Sequence, residues 1–198
     1  FIETSAASLP IVRLSSNDLI KIQQIQQAYA DAVRLTSLSP EIPSYPQSVQ
    51  INKMPDMINF PANMHVNRLI KYFQLLPEIA SLNEHDKFIL IKYNTFTLSF
   101  IRAALNYDPL TDTYHEPNTN DCIFSGRDLI RCFSLHQYKL STNCVRRLVY
   151  ASQNDQFLLQ VLLIIVLLSK GSAICTCADK AEPIAQDILS IYRTQNVF

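Results

Sequence analysis

The sequence predicts an all-α fold, a three-layer antiparallel helical sandwich with a small β-hairpin. Three observations point there. Only two glycines, Gly126 and Gly171, occur in 198 residues, too few for a turn-rich all-β domain or a phosphate-cradling loop. Apolar residues recur at helical spacing in several segments, beginning with Leu19, Ile22, Ile25, Tyr29, Ala32 and Val33. Residues 83–106 are apolar on nearly every side, and a helix without a polar face must be buried all round by helical layers on both sides.

One domain of this length encloses a sizeable core, and 48% hydrophobic residues exclude a disordered tail. The formal net charge is zero, so this segment has no clustered cations with which to hold nucleic acid directly. The five cysteines, Cys122, Cys132, Cys144, Cys175 and Cys177, match no zinc spacing and read as reduced thiols of an intracellular protein. The four histidines also lack ligand spacing. The longest apolar run, 157–168, is too short to span a bilayer and reads as a buried helix; no membrane role is expected. No signal peptide is expected. The chain starts at Phe1 rather than Met, which is expected of a piece of a larger protein.

Residues 1–14 form an extended lead-in. Ser15 and Asp18 suit a capping box for a first helix ending near Leu35. Residues 36–60 hold Pro40, Pro43, Pro46 and Pro55, which exclude a continuous helix and predict a long loop. A second helix is predicted from Pro61, with an apolar stripe of Val66, Leu69, Ile70, Phe73 and Leu76, and Pro77 stops it. Asn83 caps the buried helix, with Asp86 in its positive first turn. Residues 107–126 turn polar, and 113–115 with 122–124 predict the hairpin. Helices are predicted over 128–138, 142–152 and 154–169, with Gly171 a left-handed stop, and over 182–195. Nothing assembles a nucleophile, base and orienter: there is no G-x-S-x-G elbow, and Asp155 reads as a helix cap. An enzyme is not expected.

The segment 70–102 carries Tyr72 and Phe73, Gln74, the corner Leu76, Pro77, Glu78 and Ile79, then Leu82, Asp86 and Lys87, and Leu90, Ile91 and Lys92. In this register it resembles the signature of the nuclear receptor (nuclear hormone receptor) ligand-binding domain. That signature has an apolar or aromatic pair, a lysine, a Leu-Pro-Gly-Phe-like corner, a leucine, Asp-Gln and Leu-Leu-Lys. Arg102 follows Lys92 by ten residues, as in receptors resembling the retinoid-related orphan group. Tyr107, Asp108 and Pro109 look most like the vitamin D, ecdysone and xenobiotic receptor branch. A weaker resemblance spans 15–198, the family's first nine helices and its hairpin. On that register residues 1–198 are an incomplete ligand-binding domain. The family's dimerisation and activation helices would follow Phe198, and its zinc-finger DNA-binding domain would lie in another part of the full-length protein.

The resemblance implies a ligand-regulated transcription factor domain, nuclear or cytoplasmic before activation. It would enclose a lipophilic ligand of sterol, fatty acid or xenobiotic type and receive Leu-x-x-Leu-Leu-type helices of coactivators or corepressors. It would contact DNA only through the separate domain and would pair with a retinoid X-type receptor. The coregulator groove would use Ile70, Gln74, Lys87, Phe88, Ile91 and Lys92, with Lys92 holding the partner helix's C-terminal carbonyls. The ligand pocket would use Ala62, His65, Ser99, Arg102, Ala103 and Phe124. Arg102 is the sharpest of these: an arginine inside an apolar helix needs a partner, which either a ligand or a hairpin carboxylate supplies. The departures are Gln74 in place of the clamp lysine, Lys87 in place of glutamine, and Glu78 and Ile79 in place of Gly-Phe. The alternatives are a ligand-independent repressor or dimerisation module of the same fold, and a helical enzyme or carrier.

Overall fold

The computed structural model describes residues 15–39 and 51–169. Helix α1 (Ser16–Thr36) opens on the expected capping box. The Ser15 hydroxyl accepts the Asp18 N–H at 3.1 Å, and the Asp18 carboxylate accepts the Ser15 N–H at 2.9 Å. Ile22, Ile25, Ala28, Tyr29 and Ala32 form its buried face.

The helix predicted to begin at Pro61 begins earlier. A short helix α2 (Met54–Met57) carries Pro55 in its first turn, where the missing N–H leaves no bond unmade. It continues through a π turn (Ile58–Ala62) into α3 (Asn63–Leu75). The wider turn accommodates Pro61, which would break a regular α-helical turn. The 36–60 segment is therefore not all loop; its residues 40–50 lie outside the described ones. Leu76 turns extended, at φ −87° and ψ 119°, before Pro77 opens α4 (Pro77–Ala80). Asn83 caps α5 (Glu84–Asn106), accepting the Asp86 N–H at 2.8 Å.

Helix α5 is not buried all round. Its C-terminal turns are enclosed, with Ile101, Arg102, Ala104, Leu105 and Asn106 buried. Its N-terminal two-thirds bury only the row Asp86, Leu90, Asn94 and Leu98, and leave Phe88, Tyr93 and Phe96 exposed. An apolar helix thus presents one uncovered aromatic face among the described residues.

The predicted hairpin has a third strand. The chain leaving α5 forms β1 (Tyr107–Asp108) and reverses through Asp112 at φ 53° into β2 (Thr113–Tyr114). Strand β2 then pairs with β3 (Phe124–Ser125). The sheet is antiparallel in the order β1-β2-β3, with Tyr114 opposite both Tyr107 and Phe124. Helix α6 (Gly126–Cys132) follows directly, and α7 (Leu135–Ala151) after it. The break predicted at 139–141 falls instead at Phe133 and Ser134, because the Ser134 hydroxyl caps α7 by accepting the Gln137 N–H at 3.1 Å. Gln153 and Asn154, both at positive φ, make the turn into α8 (Gln156–Leu167), which Asp155 caps.

Helix α1 packs against α3, α5 lies along α8, and α7 rests on α5, which builds the three layers. Leu159, Val161, Leu163 and Leu167 of α8 are wholly enclosed, each burial worth about 1.5–3 kcal/mol. Polar ties cross the layers. Asn94 Nδ2 donates to the Leu167 carbonyl at 3.3 Å, and Tyr72 Oη donates to the Gln160 carbonyl at 3.2 Å. The fold is all-α with a small three-stranded antiparallel sheet. The predicted Gly171 stop and 182–195 helix lie outside the described residues. Among the described residues no single helix is long and apolar enough to cross a membrane.

Candidate functional site

A cavity of about 270 Å³ opens where α3, α5, the sheet, α6 and α7 meet. Met57, Pro61, Ala62, His65 and Val66 form one wall. Phe96, Ser99, Phe100 and Ala103 of α5 form the second. Tyr114, Phe124, Leu129, Phe133, Ser141 and Val145 close it. Its aromatic content is ordered: Tyr114 and Phe124 stack at 4.9 Å with planes 7° apart, and Phe96 meets Phe100 edge-on at 5.0 Å.

Five of the six residues named from sequence for a pocket line this cavity: Ala62, His65, Ser99, Ala103 and Phe124. Helical spacing places Ala62 and His65 on one face of the π-turn–α3 unit, and Ser99 and Ala103 one turn apart on α5. The His65 ring lies 6.0 Å from that of Phe124. Burial, then the Arg102 and Arg68 guanidinium groups, hold its pKa well below the usual histidine value, so the imidazole is neutral. Among the described residues no hydrogen bond reaches either ring nitrogen.

Arg102 is the exception. Its guanidinium lies outside the lining and inside a buried ionic knot. Nη2 pairs with Glu116 Oε2, and Nη1 donates to Asn106 Oδ1 at 2.6 Å. Its guanidinium carbon lies 5.4 Å from the Tyr29 ring centre. Arg68, a residue outside the predicted stripe of α3, completes the knot. It donates to the same Glu116 oxygen at 3.2 Å, pairs with Asp121 at 2.7 Å and donates to the Thr36 hydroxyl at 2.8 Å. Asp121 Oδ1 also accepts the Leu38 N–H at 3.0 Å. The hairpin-carboxylate alternative is the one the geometry realises: two cations and two anions tie α1, α3, α5 and the chain between β2 and β3 together.

The six residues named for a groove lie along α3 and the start of α5. Ile70 and Ile91 are half-buried, whereas Gln74, Phe88 and Lys92 are exposed. The Lys92 ammonium stands 5.8 Å from the Phe88 ring centre and 5.7 Å from that of Tyr93. Lys87 pairs with Glu84 at 2.8 Å on the first turn. The result is a surface strip of one exposed cation on exposed aromatic rings, flanked by half-buried isoleucines.

Sequence reasoning missed ten of the fifteen residues that line the cavity. Phe96 and Phe100 carried a signal, since Phe96 lies one turn before Ser99 and Phe100 one turn before Ala103. Met57, Leu129, Phe133 and Val145 carried none; their helices meet the site only through the tertiary fold. No protein-family model matches the chain, and no curated protein matches it.

Proposed function

We propose that the chain is a ligand-binding domain of nuclear receptor type. In this reading it encloses a lipophilic small molecule and presents a surface groove to an amphipathic coregulator helix. The observation that supports the reading is the apolar cavity between α3, α5 and the sheet, adjoining a helix whose exposed face carries Phe88 and Lys92. A ligand there touches α3, α5 and α7 together, so occupancy stiffens the elements that frame the groove. The partner helix lays leucines over Ile70, Phe88 and Ile91, while Lys92 meets its negative C-terminal end. DNA contact and pairing with a retinoid X-type receptor belong to this reading, as does a nuclear location.

The test is titration of a fluorescent Leu-x-x-Leu-Leu peptide. Saturable binding that Lys92→Glu removes is the expected result. Equal affinity in both proteins rejects the groove. A second reading, a ligand-independent repressor or dimerisation module, draws on exposed Gln74, which offers a neutral donor where a clamp cation would sit. Peptide affinity that no lipophilic compound alters would favour it.

A further inference from the structure

Among the described residues the cavity lining contains no charged side chain. Three of its polar groups already have partners. Ser99 donates to the Thr95 carbonyl at 2.7 Å, Ser141 to the Gln137 carbonyl at 2.9 Å, and Tyr114 Oη lies 3.4 Å from the Thr142 hydroxyl. His65 alone is left with both ring nitrogens without a partner among the described residues. The cations nearby cannot serve an incoming anion, because Arg68 and Arg102 are matched one for one by Asp121 and Glu116. The imidazole, held neutral by burial and by those same arginines, does not supply a positive charge either.

We propose that this cavity takes a compact, flat, neutral lipophile that sets one hydroxyl or carbonyl against His65, and that it discriminates against lipophilic carboxylates. The inference rests on the receptor reading above and selects among its ligand classes. A hydroxyl donates to the free imidazole nitrogen, or a carbonyl accepts from the N–H, and either gives a partner to the polar group left open among the described lining residues. A carboxylate would be a fifth buried charge beside a knot already balanced, and an unmatched charge in an apolar site is heavily penalised. Flatness follows from the near-parallel Tyr114 and Phe124 rings on one side of the cavity. Compactness follows from a volume of about 270 Å³, just below the usual range of small-molecule sites.

The experiment titrates naphthalene, 2-naphthaleneethanol and 2-naphthylacetate into the full chain at about pH 7.5, where the acid is ionised, with naphthyl fluorescence as the readout. The expected result is that the alcohol binds about ten-fold or more tighter than the carboxylate. His65→Leu narrows the gap between the alcohol and naphthalene measured on the same variant. The alcohol-to-carboxylate ratio is measured on the unaltered chain, so it stands even if the variant does not fold. A carboxylate that binds as tightly as the alcohol overturns the neutral-ligand inference and leaves the receptor reading in place. Absence of saturable binding by all three overturns both.

Discussion

Arg68 on α3 and Arg102 on α5 hold the same carboxylate oxygen, Oε2 of Glu116. Both guanidinium groups are almost wholly buried, and Asp121 restores neutrality on the Arg68 side. Glu116 lies two residues after Tyr114, so the fork that holds it also fixes the strand forming the cavity wall.

Glu116→Gln leaves two buried cations facing one anion, and is expected to cost about 3–5 kcal/mol. Adding Arg102→Met removes the excess charge, so the double variant should lose less than the single one. Urea unfolding of the three proteins measures this. A double variant less stable than Glu116→Gln would mean that packing around Arg102, not its charge, dominates.

Gly126 has no room for a side chain. A Cβ there would lie 2.0 Å from Asp112 Oδ2 and 2.6 Å from the Tyr138 ring. Asp112 accepts hydrogen bonds from Tyr107 at 2.9 Å and Tyr138 at 2.7 Å, tying the β1–β2 turn to α7. Gly126→Ala must break part of that tie, at roughly 1–3 kcal/mol. Asp112→Ala in the same chain removes the closer of the two clashes and should make the alanine cost less, which a thermal melt of the cycle would test.

His65 links stability to pH. Its folded pKa lies well below 6.5, so below that value the unfolded chain binds a proton that the folded one refuses. Stability from this group is intact above about pH 6.5 and falls as pH drops toward the folded pKa, by at most about 1.4 kcal/mol per pH unit. His65→Gln should flatten the acid limb of the stability curve. An unchanged limb would place the titration elsewhere.

Gln74→Lys restores a cation on the exposed end of α3. On the proposed function it should tighten a Leu-x-x-Leu-Leu peptide by about 1 kcal/mol, the gap between a neutral and a charged hydrogen bond. No gain in the peptide titration would count against a clamp at this position.

The local sequence determined where most helices start and stop. Ser15 with Asp18, Asn83 with Asp86, and Asp155 with Leu158 each cap within three residues, and Leu76 turns extended because Pro77 follows it. Such interactions need no distant partner, so they are legible in the chain. Ser134 works the same way, through a partner three residues on. Four of the residues around the cavity, Ala62, His65, Ser99 and Ala103, share two faces of two strongly patterned helices, and Phe124 was named only through the hairpin of the family resemblance. Only the tertiary structure decided the rest. Arg102 turned away from the cavity because the fold brings Glu116 beside it. Arg68 became core because Asp121, far along the chain, closes over it. The face of α5 that stays open depends on which helices reach it. Long-range charge pairing and layer packing depend on where the loops deliver their ends, and no local pattern of residues encodes that.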